Sequence, residues 1–411
     1  MKKITFLLAL ILCFVPIISS CSTTGSEGLE FISNGDGTCE VSGIGSCTDT
    51  DLVIPEKSPD GDIVVYIDHE AFAGCASLTS VTIPDSVTRI EGVAFAGCTG
   101  LTSITIPNSV TYIGNHAFEG CTALNAITIP DGVTSLGDST FKNCIGLTSI
   151  NIPETVTSVD SHTFQGCTNI IQKNNGVYYV DGWVIGCDQN ISAIEIVNAK
   201  GVSNGAFRGG EDLISVSIAD TVTCIGDYAF GQCTGLTNLT IPDSVISIGF
   251  RAFDGCTGLT SITIPDSVTS IGNGAFAGCT GLTNIIIPNS VTSIDVCTFN
   301  DCTGLTSITI PDSVTNIGND ALAGCESLTN IIIPNNVTEI GKGAFLGCKD
   351  LTSITVPDSV ISIGYNAFAG CDSLTDVYYS GTKVQWHDIN DVSNNWVQNK
   401  ANMHYEYVLE E

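Results

Sequence analysis

Five histidines, nineteen cysteines and a regularly spaced row of aspartates are the side chains of this 411-residue chain best suited to ligate a metal, attack a substrate or move a proton. His69, His116 and His162 precede Phe72, Phe118 and Phe164 at similar distances. His116 and His162 lie two turns of a repeating period apart, about 10 Å at the usual strand spacing, which is too far to share one ion. No serine occupies a nucleophile elbow, no phosphate loop is present, and no unique carboxylate pair stands out. Asp85, Asp131, Asp243, Asp266, Asp312 and Asp358 each follow a proline, with Asn108, Asn289 and Asn335 in the same place elsewhere. Such a row could hold calcium weakly, but it reads more simply as a solvated turn in which asparagine dilutes repulsion. An active site needs a singular constellation, and this chain offers a lattice. The expectation is a non-enzyme without cofactor or metal.

Twelve cysteines share one repeat position: Cys75, Cys98, Cys121, Cys144, Cys167, Cys233, Cys256, Cys279, Cys302, Cys325, Cys348 and Cys371. Identical positions on stacked units project their side chains in parallel, whereas a disulfide needs converging Cβ vectors. The column therefore reads as buried thiols acting as small hydrophobes, and no Cys-x-x-Cys pair supports zinc. Cys39 and Cys47 could pair near the N-terminus; Cys187, Cys224 and Cys297 stand off the column.

These residues are positioned by a strict period. Pro84, Pro107, Pro130 and Pro153, then Pro242, Pro265, Pro288, Pro311, Pro334 and Pro357, fall 23 residues apart within each series. A unit opens with Leu-x-x-Ile-x-Ile, as at Leu101 to Ile106, an alternating strand with β-branched residues on one face. Proline, lacking an N–H, ends the strand's part in a ladder. Val110 and Ile113 return apolar weight inward. Ala117-Phe118-Glu119-Gly120-Cys121 has room only for a helical turn or 3₁₀ segment. One unit cannot cover its own apolar side, so stacked units must share continuous columns of Leu, Ile, Val, Phe and Cys.

The 23-residue unit, with Ile-Pro after the strand and Ala-Phe-x-Gly-Cys near its end, resembles the leucine-rich repeats of BspA-like bacterial surface proteins. The resemblance implies an α/β solenoid: a curved leucine-rich repeat array with a parallel concave β-sheet, one β-hairpin insertion and terminal caps. It also implies adhesion or recognition at a cell surface. Residues 28–74 resemble the family's opening cap, in which Gly35-Asp36-Gly37 forms a hairpin and Leu52-Val53-Ile54-Pro55 a degenerate first strand. The solenoid then runs over 75–373. Residues 374–411 form a closing cap, rich in Tyr378, Tyr379, Trp386, Trp396, Tyr405 and Tyr407, that covers the last rung.

The register breaks once, at about 171–190. There Val177-Tyr178-Tyr179-Val180-Asp181-Gly182-Trp183-Val184-Ile185 signals a hairpin, since Asp-Gly suits a type I′ turn. Tyr178, Tyr179 and Trp183 are either an aromatic contact point for a ligand or rings that pack on adjacent rungs.

At the N-terminus, Met1-Lys2-Lys3 and the apolar stretch to Ile18 read as an export signal over 1–20, too short and interrupted to span a bilayer. Ile18-Ser19-Ser20-Cys21 resembles a bacterial lipobox. The resemblance implies that Cys21 is lipidated and becomes the mature N-terminus, with 21–27 the anchor and tether. Acyl chains contribute about 0.8 kcal/mol per buried methylene, and stable attachment takes more than one. The expected location is the cell surface or outer membrane, with membrane contact only through this lipid.

Composition narrows the partners. With 43 acidic against 13 basic residues, a net charge of -30 leaves few cations to neutralise phosphates, so nucleic acid is excluded. The sheet displays Ser103, Thr105, Asn238, Thr240, Ser261, Thr263, Ser307 and Thr309, with apolar exceptions at Ile286 and Ile332. Such a nearly uncharged, hydroxyl-rich face suits a protein or glycan on host or neighbouring cells, bound through many modest hydrogen bonds. The alternatives are a structural or antigenic spacer without a dedicated ligand and an ice-binding surface; the two isoleucines and the expected curvature count against the last.

Overall fold

The computed structural model describes residues 25–389 and 401–408. Each 23-residue unit forms one coil of a parallel β-solenoid. The Leu-x-x-Ile-x-Ile segment supplies a three-residue strand such as Ser103–Thr105, paired in parallel with Ser80–Thr82 at an offset of one unit. The alternation works as expected: Leu101, Ile104 and Ile106 are buried while Ser103 and Thr105 are exposed. Pro107 then accepts the amide of Val110 at 3.1 Å, closing the turn that points Val110 into the core.

The single sheet expected from the sequence is in fact two parallel ladders. A two-residue strand follows the turn in each regular coil, as at Tyr112–Ile113, and pairs with Arg89–Ile90 of the preceding coil. The segment expected as a helical turn is not helical. Phe95 donates its amide sideways to Ala117 (2.8 Å) and Gly97 to Glu119 (2.6 Å), while Cys98 donates back to Phe95 within the coil (3.2 Å). A helix needs an unbroken run of right-handed residues, and Val93 (φ 63°) and Gly97 (φ 71°) interrupt it. Sideways and local bonds thus alternate along the third side of each coil. Among the described residues the one α-helix is Lys383–Asp388.

Phenylalanines stack in columns through this third side. Phe72, Phe95, Phe118, Phe141 and Phe164 follow one another at 5.2–5.9 Å between ring centres, and Phe207, Phe230, Phe253, Phe276 and Phe299 repeat the pattern. Beside them runs the cysteine column, where eleven thiols each donate to a main-chain carbonyl of the preceding coil, as Cys98 to Phe72 (3.1 Å) and Cys256 to Phe230 (3.1 Å). The thiols are therefore not only small apolar fillers; they are lateral hydrogen-bond donors where a hydroxyl would be harder to bury. Burial pushes the Cys121 thiol up to about 12 and that of Cys233 to about 11. All seventeen described cysteines are free; Cys39 turns to the carbonyl of Asp62 (3.6 Å) and is not bridged to Cys47.

The insertion is a hairpin of Val177–Val180 and Trp183–Cys187, flanked by Gln172–Asn174. Asp181 (φ 44°) and Gly182 (φ 84°) both take the left-handed conformation that a type I′ turn requires. Asp181 Oδ2 accepts the amide of Ile152 at 2.6 Å, tying the hairpin to the preceding coil. Two hydrophobic cores meet here, one from Leu29 to Ile170 and one from Val177 to Trp386, with Val180 and Trp183 packed into the first.

At the start, Glu30–Ser33 and Thr38–Gly43 form the expected antiparallel pair, and Asp51–Val53 begins the longer-strand ladder. At the end, Asp376–Tyr379 is covered by Asn402–His404 and by Trp386, whose ring meets Tyr379 edge-on at 5.1 Å. Tyr378 stacks on His404 at 4.5 Å and lies 4.7 Å from Tyr407. The aromatic terminal segment thus covers the last coil. Trp396 lies outside the described residues, as do Cys21 and the export signal. No described helix is long and apolar enough to cross a membrane.

Candidate binding surface

Hydroxyl groups on the solenoid divide into two classes by what they touch. Those of most threonines just before the longer strands are spent inside the structure: Thr102 donates to the carbonyl of Thr79 (2.9 Å), Thr306 to Thr283 (2.9 Å) and Thr352 to Thr329 (3.0 Å). Serines after the proline turn do likewise, as Ser109 to Val87 (2.7 Å) and Ser313 to Val291 (2.7 Å). Spacing alone does not separate these from the displayed rows, because every row has the same period.

The displayed rows behave differently. Ser103, Thr105, Asn238, Thr240, Ser261, Thr263, Ser307 and Thr309 are all exposed, and their side chains have no hydrogen-bond partner within the described residues. Parallel pairing puts them in file: Ser217 beside Thr240, Ser261 beside Asn284, Asn284 beside Ser307. Ile286 and Ile332 interrupt the file at 67% and 52% exposure, giving it two apolar points of contact. Along these ladders carboxylates occur only at Asp51, Glu195 and Asp376, at the two ends and at the insertion. A ligand lying across the middle of the face would meet hydroxyls, amides and alkyl groups rather than charge.

The insertion's aromatics are placed otherwise. Tyr179 (6% exposed) and Trp183 (1%) are core residues, so neither ring is available as a contact point. Packing explains this: Trp183 pairs beside Gly201 in the short-strand ladder and packs into the first core, while Tyr179 packs into the second and accepts the amide of Val197 at 3.3 Å. Tyr178 stays half-buried, with its hydroxyl donated to Asp188, which also pairs with Lys173 at 2.7 Å. These two bonds hold the Asp188 carboxyl below the usual range.

Two clefts open beside the insertion. One, of about 430 Å³, is lined by Cys187 to Ile191 and Ala206 to Leu213. The other, of about 710 Å³, is bounded by Asp160, His162, Asn204, Arg208, Asp227 and Tyr228. His116 and His162, separated by two coils, are connected in a way their spacing does not reveal. Asp138 of the intervening coil stands between them, with Oδ2 3.4 Å from His116 Nε2 and Oδ1 3.4 Å from His162 Nδ1.

Comparison with known proteins agrees with this architecture. The BspA type leucine-rich repeat region matches in six copies, over residues 50–172, 200–328 and 274–387. A leucine-rich repeat protein from Bacteroides ovatus is 30% identical, the match covering 92% of this chain and 98% of that one, with a TM-score of 0.46. A leucine-rich cell surface protein from Faecalibacterium prausnitzii is 26% identical over 90% of this chain and 98% of its own, with a TM-score of 0.31. No curated protein matches the sequence. From the period, the paired ladders and the extent of the family match, the chain belongs to the BspA-type leucine-rich repeat family.

Proposed function

We propose that this protein is displayed on a bacterial surface, held by acyl chains on Cys21, and that it binds an extended polypeptide or glycan of a host or neighbouring cell along the exposed Ser/Thr/Asn rows. Family membership supports protein binding or adhesion as the general role. The observation that carries the finer reading is the division of hydroxyls: rows that knit coils together are bonded to carbonyls, while Thr240, Thr263 and Thr309 face solvent with no internal partner. Repeated weak contacts along such a file gain strength through effective concentration, so binding needs no deep pocket. The uncharged middle of the file spares a neutral ligand the repulsion that the chain's net charge of -30 would otherwise impose.

The test is a screen of the purified protein on glycan and matrix-protein arrays, repeated with Thr240, Thr263 and Thr309 all changed to lysine. Loss of the captured ligand with an unchanged melting curve is expected. Retained binding would move the site elsewhere, and arrays without any ligand would favour a surface spacer. The anchor is tested separately: Cys21→Ala should release the protein from the membrane fraction and abolish labelling by a fatty-acid probe.

A further inference from the structure

We propose that Asp138, Asp160 and His162 form a binding site for a divalent transition metal ion of the zinc type, shaped by His116 and Glu119. One ligand atom from each of the three lies within 4.8 Å of the other two. His162 Nδ1 is 3.4 Å from Asp138 Oδ1 and 3.4 Å from Asp160 Oδ1. Those distances are long for a charge-assisted hydrogen bond, which settles at about 2.7–2.9 Å. They are compatible with the edge of a coordination tetrahedron, since metal bonds of about 2.0–2.2 Å to nitrogen and oxygen put neighbouring ligand atoms about 3.3–3.6 Å apart. The main-chain amide of His162 donates to the same Asp160 Oδ1 at 2.9 Å, holding that oxygen beside the ring. The same molecule shows what an ordinary imidazole–carboxylate hydrogen bond looks like: His404 to Asp376 is 2.8 Å and His116 to Glu119 is 2.6 Å.

The surroundings of the three ligands suit a bound cation. Glu119 engages Nδ1 of His116, which turns Nε2 toward the far oxygen of Asp138. This is the carboxylate–imidazole pairing that orients groups behind a metal ligand. His116 thus acts through Asp138 as a positioning residue. Three carboxylates, Glu119, Asp138 and Asp160, are gathered here against one ammonium, Lys142, at 3.8 Å from Glu119. The three carboxylates exceed the one ammonium by two negative charges, the amount a divalent ion cancels.

The repeat does not impose this arrangement. Asp160 occupies the place held in other units by Gly114, Gly137, Gly226, Gly249 and Gly272, and by the acidic Glu91 and Asp295, but of these acidic residues only Asp160 has a histidine two residues on. Asp160 and His162 also line the 710 Å³ cleft at the insertion, which leaves the fourth coordination position facing solvent and any ligand lodged there. Arg208 and Asp227 stand on the same cleft. An ion held in this way would clamp two successive coils at the last regular unit before the hairpin.

Titration of the purified protein with cobalt(II), and in parallel with zinc(II), tests the site. Saturation at one ion per chain is expected, with visible d–d absorption and without the near-ultraviolet band of sulfur-to-cobalt charge transfer. His162→Ala or Asp160→Asn should abolish the visible signal. Glu119→Gln should weaken binding by about tenfold or more, the usual cost of removing an orienting partner. His69→Ala should change nothing. Because His162 and Glu119 are solvent-accessible side chains, unchanged circular-dichroism melting is expected for each variant. Absence of saturable binding, a thiolate band, or a titration indifferent to His162→Ala would overturn the proposal.

Discussion

The run of coils from Leu236 to Cys371 and the break between Asp160 and Leu213 are built from the same chain by opposite rules. In the run, most groups meet their own copy 23 residues away, so phenylalanine stacks on phenylalanine except where Leu322 takes its place, and each column thiol finds a carbonyl of the preceding coil. At the break, copies are missing and unlike groups meet. Trp183 lies at the joint of the two cores with its Nε1 buried and, among the described residues, unpartnered, two clefts open, and imidazoles and carboxylates from three coils converge on Asp138. Repetition satisfies its own polar groups and leaves little chemistry over. Singular sites belong where repetition fails.

Substitutions of matched size in the two regions should separate these rules. Phe253→Ala removes a ring stacked at 5.4 Å and 5.3 Å on its neighbours and should cost about 3–5 kcal/mol in urea denaturation. Trp183→Ala should cost a similar amount but alter the shape of unfolding: with the joint between the two cores emptied, calorimetry should resolve two transitions instead of one. A single sharp transition for that variant would mean that the backbone ladders alone couple the halves.

Alkali should also act on the run. Folding raises the thiol pKa of Cys121 and Cys302 to about 12 and that of Cys233 to about 11, by burial. Their contribution is fully present below the unfolded thiol pKa of about 8.5 and declines as pH rises toward 11–12, by up to about 1.4 kcal/mol per pH unit for each such thiol. Melting temperature should therefore fall steeply above pH 9, and less steeply in a variant with several column cysteines changed to alanine. A smaller effect is expected from Cys256→Ala, about 1–2 kcal/mol for the lost bond to Phe230 and the lost burial. Smallest is Trp183→Phe, which trades volume for removal of an unpaired N–H and should lie within about 1 kcal/mol of the parent.

Much of this was legible from residue order. Proline spacing gives the coil, the Leu-x-x-Ile-x-Ile alternation gives the longer strand and its exposed rows, and Asp181-Gly182 gives the hairpin turn. Three things were hidden for physical reasons. The second ladder is two residues long, too short for any alternation to register. The Ala-Phe-x-Gly segment looks helical by length; its glycine takes the left-handed conformation, as at Gly97 and Gly255, but the other left-handed position, just before the alanine, is of varied type, including Val93 and Arg251, and carries no signal. The histidine cluster depends on Asp138, one position earlier in its own coil than the histidines are in theirs. Measuring His116 to His162 directly passes over the coil between them. A search for acidic residues in the intervening unit would have found it. Burial of Tyr179 and Trp183 was likewise unreadable, because their types suit a core and a contact surface equally well.

The offset of 23 residues has a consequence for inheritance. Since each lateral bond in the run joins a residue to a fixed position of the neighbouring unit, excising or duplicating a whole unit returns every donor to an equivalent acceptor. Any other length of insertion would throw the leucine and phenylalanine files out of step. A lineage can therefore change the reach of the rod in single-coil increments on either side of the hairpin, while the hairpin and the groups around Asp138 have no spare copy and must be kept whole.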